Sequence, residues 1–366
     1  MSHSVETSVD VEREYRAGRE AAALVTLARG TLDVSGPKRQ DFLHAMLSND
    51  VNALRPGDGC RAASMSAKGA LQALLRVLVD TSVVVLETEA DRLELVLRTL
   101  EHHKVGAPVR FAPGKAAVLA VFGPRAAASL QAAGVAALPV AASEAHLKAE
   151  LGGTSVRVVR ASDLPGEGFV LHVPEDATEA VAASLRAAAV VPIGREALDA
   201  LRVEALCPWF GQDIGEDNLL HETGLVTALH STTKGCYVGQ EVIARLEGRG
   251  GNVNKALRGL RLTAPAAAGA VVTAAGKDAG WVTTAAVSPR LGPIALGYVH
   301  RNHFAAGSAV EVAGAPATVV TRFDAAPCRS TRRPATRAPP GCSAGRACPR
   351  TIRASPPTAT STRPTP

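Results

Sequence analysis

Two rhythms of apolar residues divide the chain. From residue 30 to residue 206, short apolar runs alternate with stretches of helical spacing. Ser35 stands as a candidate helix cap, and Pro37 suits a first helical turn. Phe42, Leu43, Met46 and Leu47 then share one face of a helix that stops at Ser48-Asn49-Asp50-Val51. The pattern predicts strands at 70–79 and 83–87. An amphipathic helix follows over 91–103, with Leu93, Val96, Leu97 and Leu100 on one side. Residues 118–122 read as a strand, and Gly123-Pro124 opens a helix to Ala133. Strands at 154–160 and 168–173 are joined by Asp163-Leu164-Pro165-Gly166, a turn composition. Helices are expected over 175–189 and 195–206. Hairpin-linked strand pairs favour an α+β fold of ferredoxin-like units over a doubly wound parallel sheet.

After Gly248-Arg249-Gly250-Gly251-Asn252 the rhythm shortens. Strands are expected at 256–263, 270–273, 280–287, 294–299, 309–312 and 317–322, separated by turn residues as in a small β-barrel. The Gly-rich linker lacks the strand-turn-helix setting and GK[ST] ending of a phosphate loop. The pattern therefore predicts a core over 20–248, a barrel domain over 252–324 and a tail over 325–366. The tail has eight arginines, nine prolines, three of the six cysteines, no lysine and no acid, and Ile352 is its one large aliphatic residue. Such a segment cannot bury enough apolar surface to offset its ordering entropy, so it is predicted to be disordered and without part in ligand binding. Its composition is what a GC-rich gene yields when read out of frame. The alternative is an arm that touches RNA through phosphates. Cys328, Cys342 and Cys348 fit no common metal spacing.

Charge changes less than it first suggests. The formal net charge is +6, but without the eight tail arginines residues 1–324 carry about −2. Direct nucleic-acid binding is therefore not expected. No apolar run has membrane-spanning length, and residues 1–16 lack the apolar centre of a signal peptide, so a cytoplasmic protein without membrane attachment is expected. Cys60, Cys207 and Cys236 form no CxxC pair, and His102-His103 point about 100° apart on a helix, so no metal site is predicted.

The chemistry concentrates in residues 230–241, His-Ser-Thr-Thr-Lys-Gly-Cys-Tyr-Val-Gly-Gln-Glu. Gly235 and Gly239 allow backbone angles that other residues resist, which predicts a shaped loop. Lys234, with His230, would favour the thiolate of an exposed Cys236 and make it a candidate nucleophile or redox thiol. The competing reading is a turn around a small packing cysteine. A second candidate is Glu204, about 60° from Leu201 on its helix and so at the border of the apolar face. It is either an ion-paired glutamate or an acceptor for a ligand.

Lys234-Gly235-Cys236-Tyr237-x-Gly239-Gln240-Glu241 resembles the signature of the YgfZ-type folate-binding proteins, relatives of the glycine cleavage T-protein, an aminomethyltransferase. The resemblance runs from about Leu32 to Phe323. It includes Ser35-Gly36-Pro37 with Asn49-Asp50-Val51, Arg202-x-Glu204 with Gly211-x-Asp213-Ile214, and Gly280-Trp281-Val282-Thr283 through Gly297-Tyr298. It implies two interwoven ferredoxin-like units plus a C-terminal barrel, with tetrahydrofolate or a one-carbon derivative in a central channel. Glu204 would hold the pterin, whose adjacent N–H donors match a bidentate carboxylate. Asp50, Arg202, Tyr237, Gln240 and Glu241 are carried over as further cofactor contacts. The implied role is support of iron–sulfur cluster assembly or repair in selected enzymes, including tRNA-modifying ones, with iron–sulfur proteins or assembly factors as partners. One departure separates the chain from the aminomethyltransferase. Where that enzyme has paired aspartates, this chain has Gln72-Ala73. A folate-dependent aminomethyl or methyl transferase and a non-enzymatic scaffold are the alternative functions.

Overall fold

A computed structural model describes residues 3–140 and 142–323, with side chains from Asp10 onward. The tail over 325–366, and the disorder expected of it, lie outside the described residues.

Helix α1 (His3–Glu20) leads into β1 (Ala23–Leu27) and β2 (Arg29–Ser35). Only Ala28 separates these strands, yet they enter different sheets, which is how the two units interweave. The five-stranded sheet has the order β3 (Gly59–Met65), β4 (Leu71–Val79), β5 (Val83–Glu89), β2 and β6 (Arg110–Pro113). Helices α2 (Arg39–Met46) and α3 (Leu93–His103) cover one face. They bury Leu43, Met46, Val96 and Leu100 with Leu32, Val77 and Leu86. The six-stranded sheet has the order β11 (Val191–Pro192), β1, β7 (Ala116–Phe122), β10 (Gly168–Pro174), β9 (Thr154–Ala161) and β8 (His146–Leu151). All its pairings are antiparallel except β1 with β11. On its outer face α4 (Ala126–Ala132) and α5 (Thr178–Ala187) pack Leu130, Val181 and Leu185 against Leu119, Phe169 and Leu171. On its inner face α6 (Arg195–Glu204) and α1 bring Leu198, Leu201 and Tyr15 to Ala120, Phe122 and Val170.

Short helices α7 (Val226–Leu229) and α8 (Gln240–Glu247) flank the cysteine loop. The chain then closes a barrel in the order β12 (Lys255–Leu262), β15 (Gly292–His300), β14 (Lys277–Ser288), β13 (Val271–Ala274), β16 (Ala309–Val312) and β17 (Ala315–Val320). Val310, Val312, Ala317 and Val319 alternate inward, and closure leaves no unpaired strand edge. The architecture is α+β with a closed six-stranded C-terminal barrel, as the apolar pattern predicts, and all six barrel strands fall within three residues of expectation.

Two local expectations differ. Ser35 is no cap: it ends β2, paired with Val83 and Arg110, and the chain turns at Gly36 before an α2 that has no side-chain cap. The polar N-terminus forms α1, which packs on α6 at Gly18, where an added Cβ would meet Leu201 Cδ1 at 2.5 Å.

A buried ionic cluster ties the two sheets together. Arg76 on β4 donates to Glu87, Glu144 and Asp163. Arg29 adds bonds of 2.9 Å to Glu87 and Asp163, and His172 on β10 lies 2.7 Å from Glu87. Burial alone pushes the Glu87 carboxyl up, but Arg76, His172 and Arg29 outweigh it and hold it well below the usual carboxylate range.

Candidate functional site

The cysteine loop is anchored on the five-stranded unit. Ser231 N–H donates to the Ser48 carbonyl at 3.1 Å, and the Ser48 hydroxyl donates to Leu229 O while accepting from Ala63 N–H. Asn49 Nδ2 donates to Arg61 O at 2.8 Å. These contacts tie Ser48-Asn49 to the loop. Asp50 caps the next turn through Ala53 N–H at 3.1 Å and lies 3.1 Å from His44 Nδ1. On the other side Gly239, with φ +84°, packs against the β3–β4 turn, where an added Cβ would lie 2.7 Å from Ser66 O. Gly235 differs from expectation: its φ is not positive, and an added Cβ would meet nothing within 4 Å. Of the two glycines, only Gly239 shapes the loop.

Cys236 is exposed on this loop. Lys234 points inward and is buried. Its ammonium donates to the carbonyls of His44 and Leu47, which the end of α2 leaves without helical partners, and lies 4.7 Å from the Tyr237 ring. Burial lowers its pKa to about 8, against the opposing pull of Asp50 and Cys60. The expected pairing of this ammonium with the Cys236 thiolate is therefore not what the structure presents. Lys234 instead ties the loop to α2, with Cys60 and Asp50 as its electrostatic neighbours. Tyr237 is also buried; its hydroxyl has no hydrogen-bond partner, and burial raises its pKa. His230 Nδ1 lies 3.3 Å from Glu247. Gln240 begins α8, and Glu241 is exposed and paired with Arg245.

Glu204 and Arg202 form a second centre, where α1, α6 and the barrel meet. Arg202 is fully buried, with Nε 2.6 Å from Asp199, one terminal nitrogen 2.6 Å from Asp213 and the other 2.7 Å from the Thr284 hydroxyl. Asp213 also accepts from Trp209 N–H, Thr283 and Thr284. The Arg-x-Glu and Gly-x-Asp-Ile segments are thus one knot fastening α6 to β14. Each guanidinium nitrogen of Arg202 meets a protein acceptor within this knot. Glu204 accepts from the Tyr15 hydroxyl at 2.7 Å, from Ser288 and from Arg290 at 2.8 Å, with Arg19 3.6 Å away. Both carboxylate oxygens are occupied by protein groups. Sequence reasoning did not foresee Tyr15, Ser288 and Arg290 around Glu204. The signal available was Val11, Tyr15 and Gly18 at helical spacing, and Ser288-Pro289 at the end of a predicted strand.

A cavity of about 620 Å³ opens between the β1–β2 joint and residues 209–212, lined by Leu27, Arg29, Glu89, Arg195, Trp209 and Gln212 among others. A second cleft, of about 860 Å³, lies between α1, α6 and β14. Among the described residues no cluster of three or more His, Cys, Asp or Glu could hold a metal, and no helix is long and apolar enough to cross a membrane.

Residues 4–233 match the GCVT N-terminal domain, and residues 255–323 match the glycine cleavage T-protein C-terminal barrel domain. The chain belongs to the GCVT family. Among its relatives, the aminomethyltransferase of Nostoc sp. is 28% identical over 330 residues, covering 85% of this chain and 87% of that protein. The aminomethyltransferase of Exiguobacterium sibiricum is 30% identical over 295 residues, covering 79% and 81%. The crystal structure of glycine cleavage system aminomethyltransferase T from Bartonella henselae shares the fold, with a TM-score of 0.76 at 24% identity over 85% of this chain and 88% of that one. In this GCVT-family fold the matched domains meet at the Arg202–Asp213–Thr284 knot.

Proposed function

We propose that the chain is a YgfZ-type member of the GCVT family: a cytoplasmic tetrahydrofolate-binding protein that supports iron–sulfur cluster assembly or repair in selected enzymes, tRNA-modifying ones among them. The observation that carries this reading is the exposed Cys236 on a loop fastened by Lys234 and Gly239, beside a β4 strand without a carboxylate at Gln72-Ala73. Ala73 is buried and Gln72 meets the Ser64 hydroxyl at 3.4 Å, so neither supplies the acid of the aminomethyltransferase pattern. Cys236 would act as nucleophile or redox thiol toward an iron–sulfur client, with the thiol held in solvent and the loop backbone held still. Asp50, Gln240 and Glu241 would border that loop.

A second reading, a folate-dependent aminomethyl or methyl transferase, is favoured by the names of the relatives. One experiment separates the two. Purified protein is titrated calorimetrically with tetrahydrofolate and assayed for one-carbon turnover, and Cys236→Ala is tested for rescue of a strain deficient in iron–sulfur enzyme activity. Binding without turnover, and failed rescue by the variant, are expected. Turnover, or full rescue without the thiol, would remove the YgfZ-type reading.

A further inference from the structure

Glu204 is a crowded acceptor, and the crowding is uneven. A carboxylate offers about four lone-pair sites, two on each oxygen. Oε1 uses both of its own: it accepts from the Tyr15 hydroxyl at 2.7 Å and from the Ser288 hydroxyl. Oε2 accepts from Arg290 at 2.8 Å, with Arg19 3.6 Å away. The two donors on Oε1 are held differently. Ser288 Oγ also accepts the backbone N–H groups of Arg290 at 3.1 Å and Leu291 at 3.0 Å, so the turn from β14 to β15 fixes it. Tyr15 arrives on α1. That helix is tied to α6 by Glu14, which accepts the Gly194 N–H at 2.7 Å, and by Gly18 seated on Leu201. The cleft of about 860 Å³ undercuts α1 at this point. Its wall includes Val11, one turn before Tyr15, and Pro289, the neighbour of Ser288. A small shift of α1 over this hollow takes the Tyr15 hydroxyl off Oε1, whereas the Ser288 hydroxyl stays with its turn.

We propose that α1 is a strap across the ligand seat: the Tyr15 hydroxyl occupies Glu204 Oε1, and tetrahydrofolate binds by taking that hydrogen bond from it. The proposal rests on the folate reading above, with Glu204 as the acceptor that the family resemblance implies. A bidentate match to two adjacent N–H donors needs one lone pair on each carboxylate oxygen. Oε2 has one to give beside Arg290; Oε1 has none until Tyr15 lets go. Arg290 remains on Oε2 and keeps the carboxylate charged through the exchange. One hydrogen bond to the carboxylate replaces another, so the strap does not forbid binding. It raises the apparent dissociation constant by the share of molecules in which Tyr15 holds Oε1.

The test is calorimetry with tetrahydrofolate on the full chain as wild type, Tyr15→Phe and Glu204→Gln, with melting temperatures to verify folding. Tyr15→Phe keeps the packed ring and removes the competing hydroxyl. It is expected to tighten binding about threefold to thirtyfold, within the range of one hydrogen bond to a charged group. Glu204→Gln should weaken binding by about tenfold or more. NMR of ring-labelled tyrosine gives a second readout that a packing role would not move. The chain has three tyrosines, so the signal absent from Tyr15→Phe is assigned at once. That signal should shift on adding tetrahydrofolate to the wild type, while those of Tyr237 and Tyr298 stay. Equal affinity in Tyr15→Phe with an unmoved Tyr15 signal would overturn the strap and leave the folate reading standing. Weaker binding by Tyr15→Phe would make Tyr15 part of the seat and also overturn the strap. Full affinity in Glu204→Gln would do the same. Absence of binding in wild type and Tyr15→Phe alike would remove the folate reading and the strap with it.

Discussion

Replacing Arg76 with methionine should destabilise the protein by about 3–5 kcal/mol, the cost of leaving a buried charge without its partner. Around this side chain Arg29, Arg61 and Arg76 face Glu87, Glu144 and Asp163, three charges of each sign. Methionine fills most of the space but leaves three carboxylates and two guanidiniums. Arg29 still holds Glu87 and Asp163, while Arg61 reaches Asp163 only at 3.9 Å. Glu144 is the group left exposed to the loss. It keeps the Ser162 N–H at 3.1 Å and hydroxyl at 2.6 Å but has no guanidinium. At roughly 2–4 °C per kcal/mol for a chain of this size, the melting temperature should fall by about 6–20 °C. The pH dependence gives the sharper check. In the wild type, Glu87 has a folded pKa below its unfolded one, so its contribution is present above the unfolded value and lost as pH falls through the folded value. In the variant Glu87 loses Arg76, the strongest of the cations that favour its charged form, so its pKa moves up, and the penalty is full at neutral pH and fades as protonation sets in. Thermal and urea unfolding of both proteins at pH 8, 7, 6 and 5 should show the gap narrowing toward pH 5. A loss below about 1 kcal/mol, or a gap unchanged across that range, would refute the claim that charge holds the two sheets here.

Gly239→Ala should cost about 1–3 kcal/mol in urea unfolding, since its φ is +84° and its Cβ would meet Ser66 O, whereas Gly235→Ala should stay within about 0.5 kcal/mol; equal costs would contradict the loop geometry. Lys234 should titrate near 8 in the folded protein, read by NMR of 13C-labelled lysine. Because this folded pKa lies below the unfolded one, the penalty for burying the ammonium is full below about pH 8 and is relieved as pH rises toward the unfolded value, so a midpoint near that unfolded value would argue against burial. Iodoacetamide should label Cys236 first, with Cys60 and Cys207, whose thiols burial pushes up to about 12, reacting only on unfolding; peptide mass spectrometry showing Cys60 modified first would reverse the assignment.

The barrel was legible because its strands alternate inward and outward around turn residues, a period of two that survives without tertiary information. Helices α3 and α6 were legible for the matching reason at helical spacing. Helix α1 was not. Its residues are polar and mixed, and the stripe of Val11, Tyr15 and Gly18 gains meaning only from α6 lying against it. The inward turn of Lys234 was equally hidden. Sequence places an ammonium two residues from a thiol, but the carbonyls of His44 and Leu47 belong to a distant segment and compete more effectively for it. Glu204 could be read as a carboxylate at an apolar border. Its partners could not, because they arrive from opposite ends of the chain.

Ala28 alone joins strands of different sheets, and this sets an order of events on the ribosome. β2 finds its neighbours β5 and β6 within the next stretch of chain, so the five-stranded sheet can assemble early. β1, one residue upstream, has no neighbour until β7 is made and no second one until Val191-Pro192. At about 5–20 residues per second, the span from Leu27 to Ala116 takes roughly 5–20 s to synthesise, during which the apolar strand Ala23–Leu27 stands as an unpaired edge. The nascent chain is therefore most open to holdase binding, or to pairing with a second chain, in that interval, and its vulnerable segment lies at the start of the core and not in the long barrel.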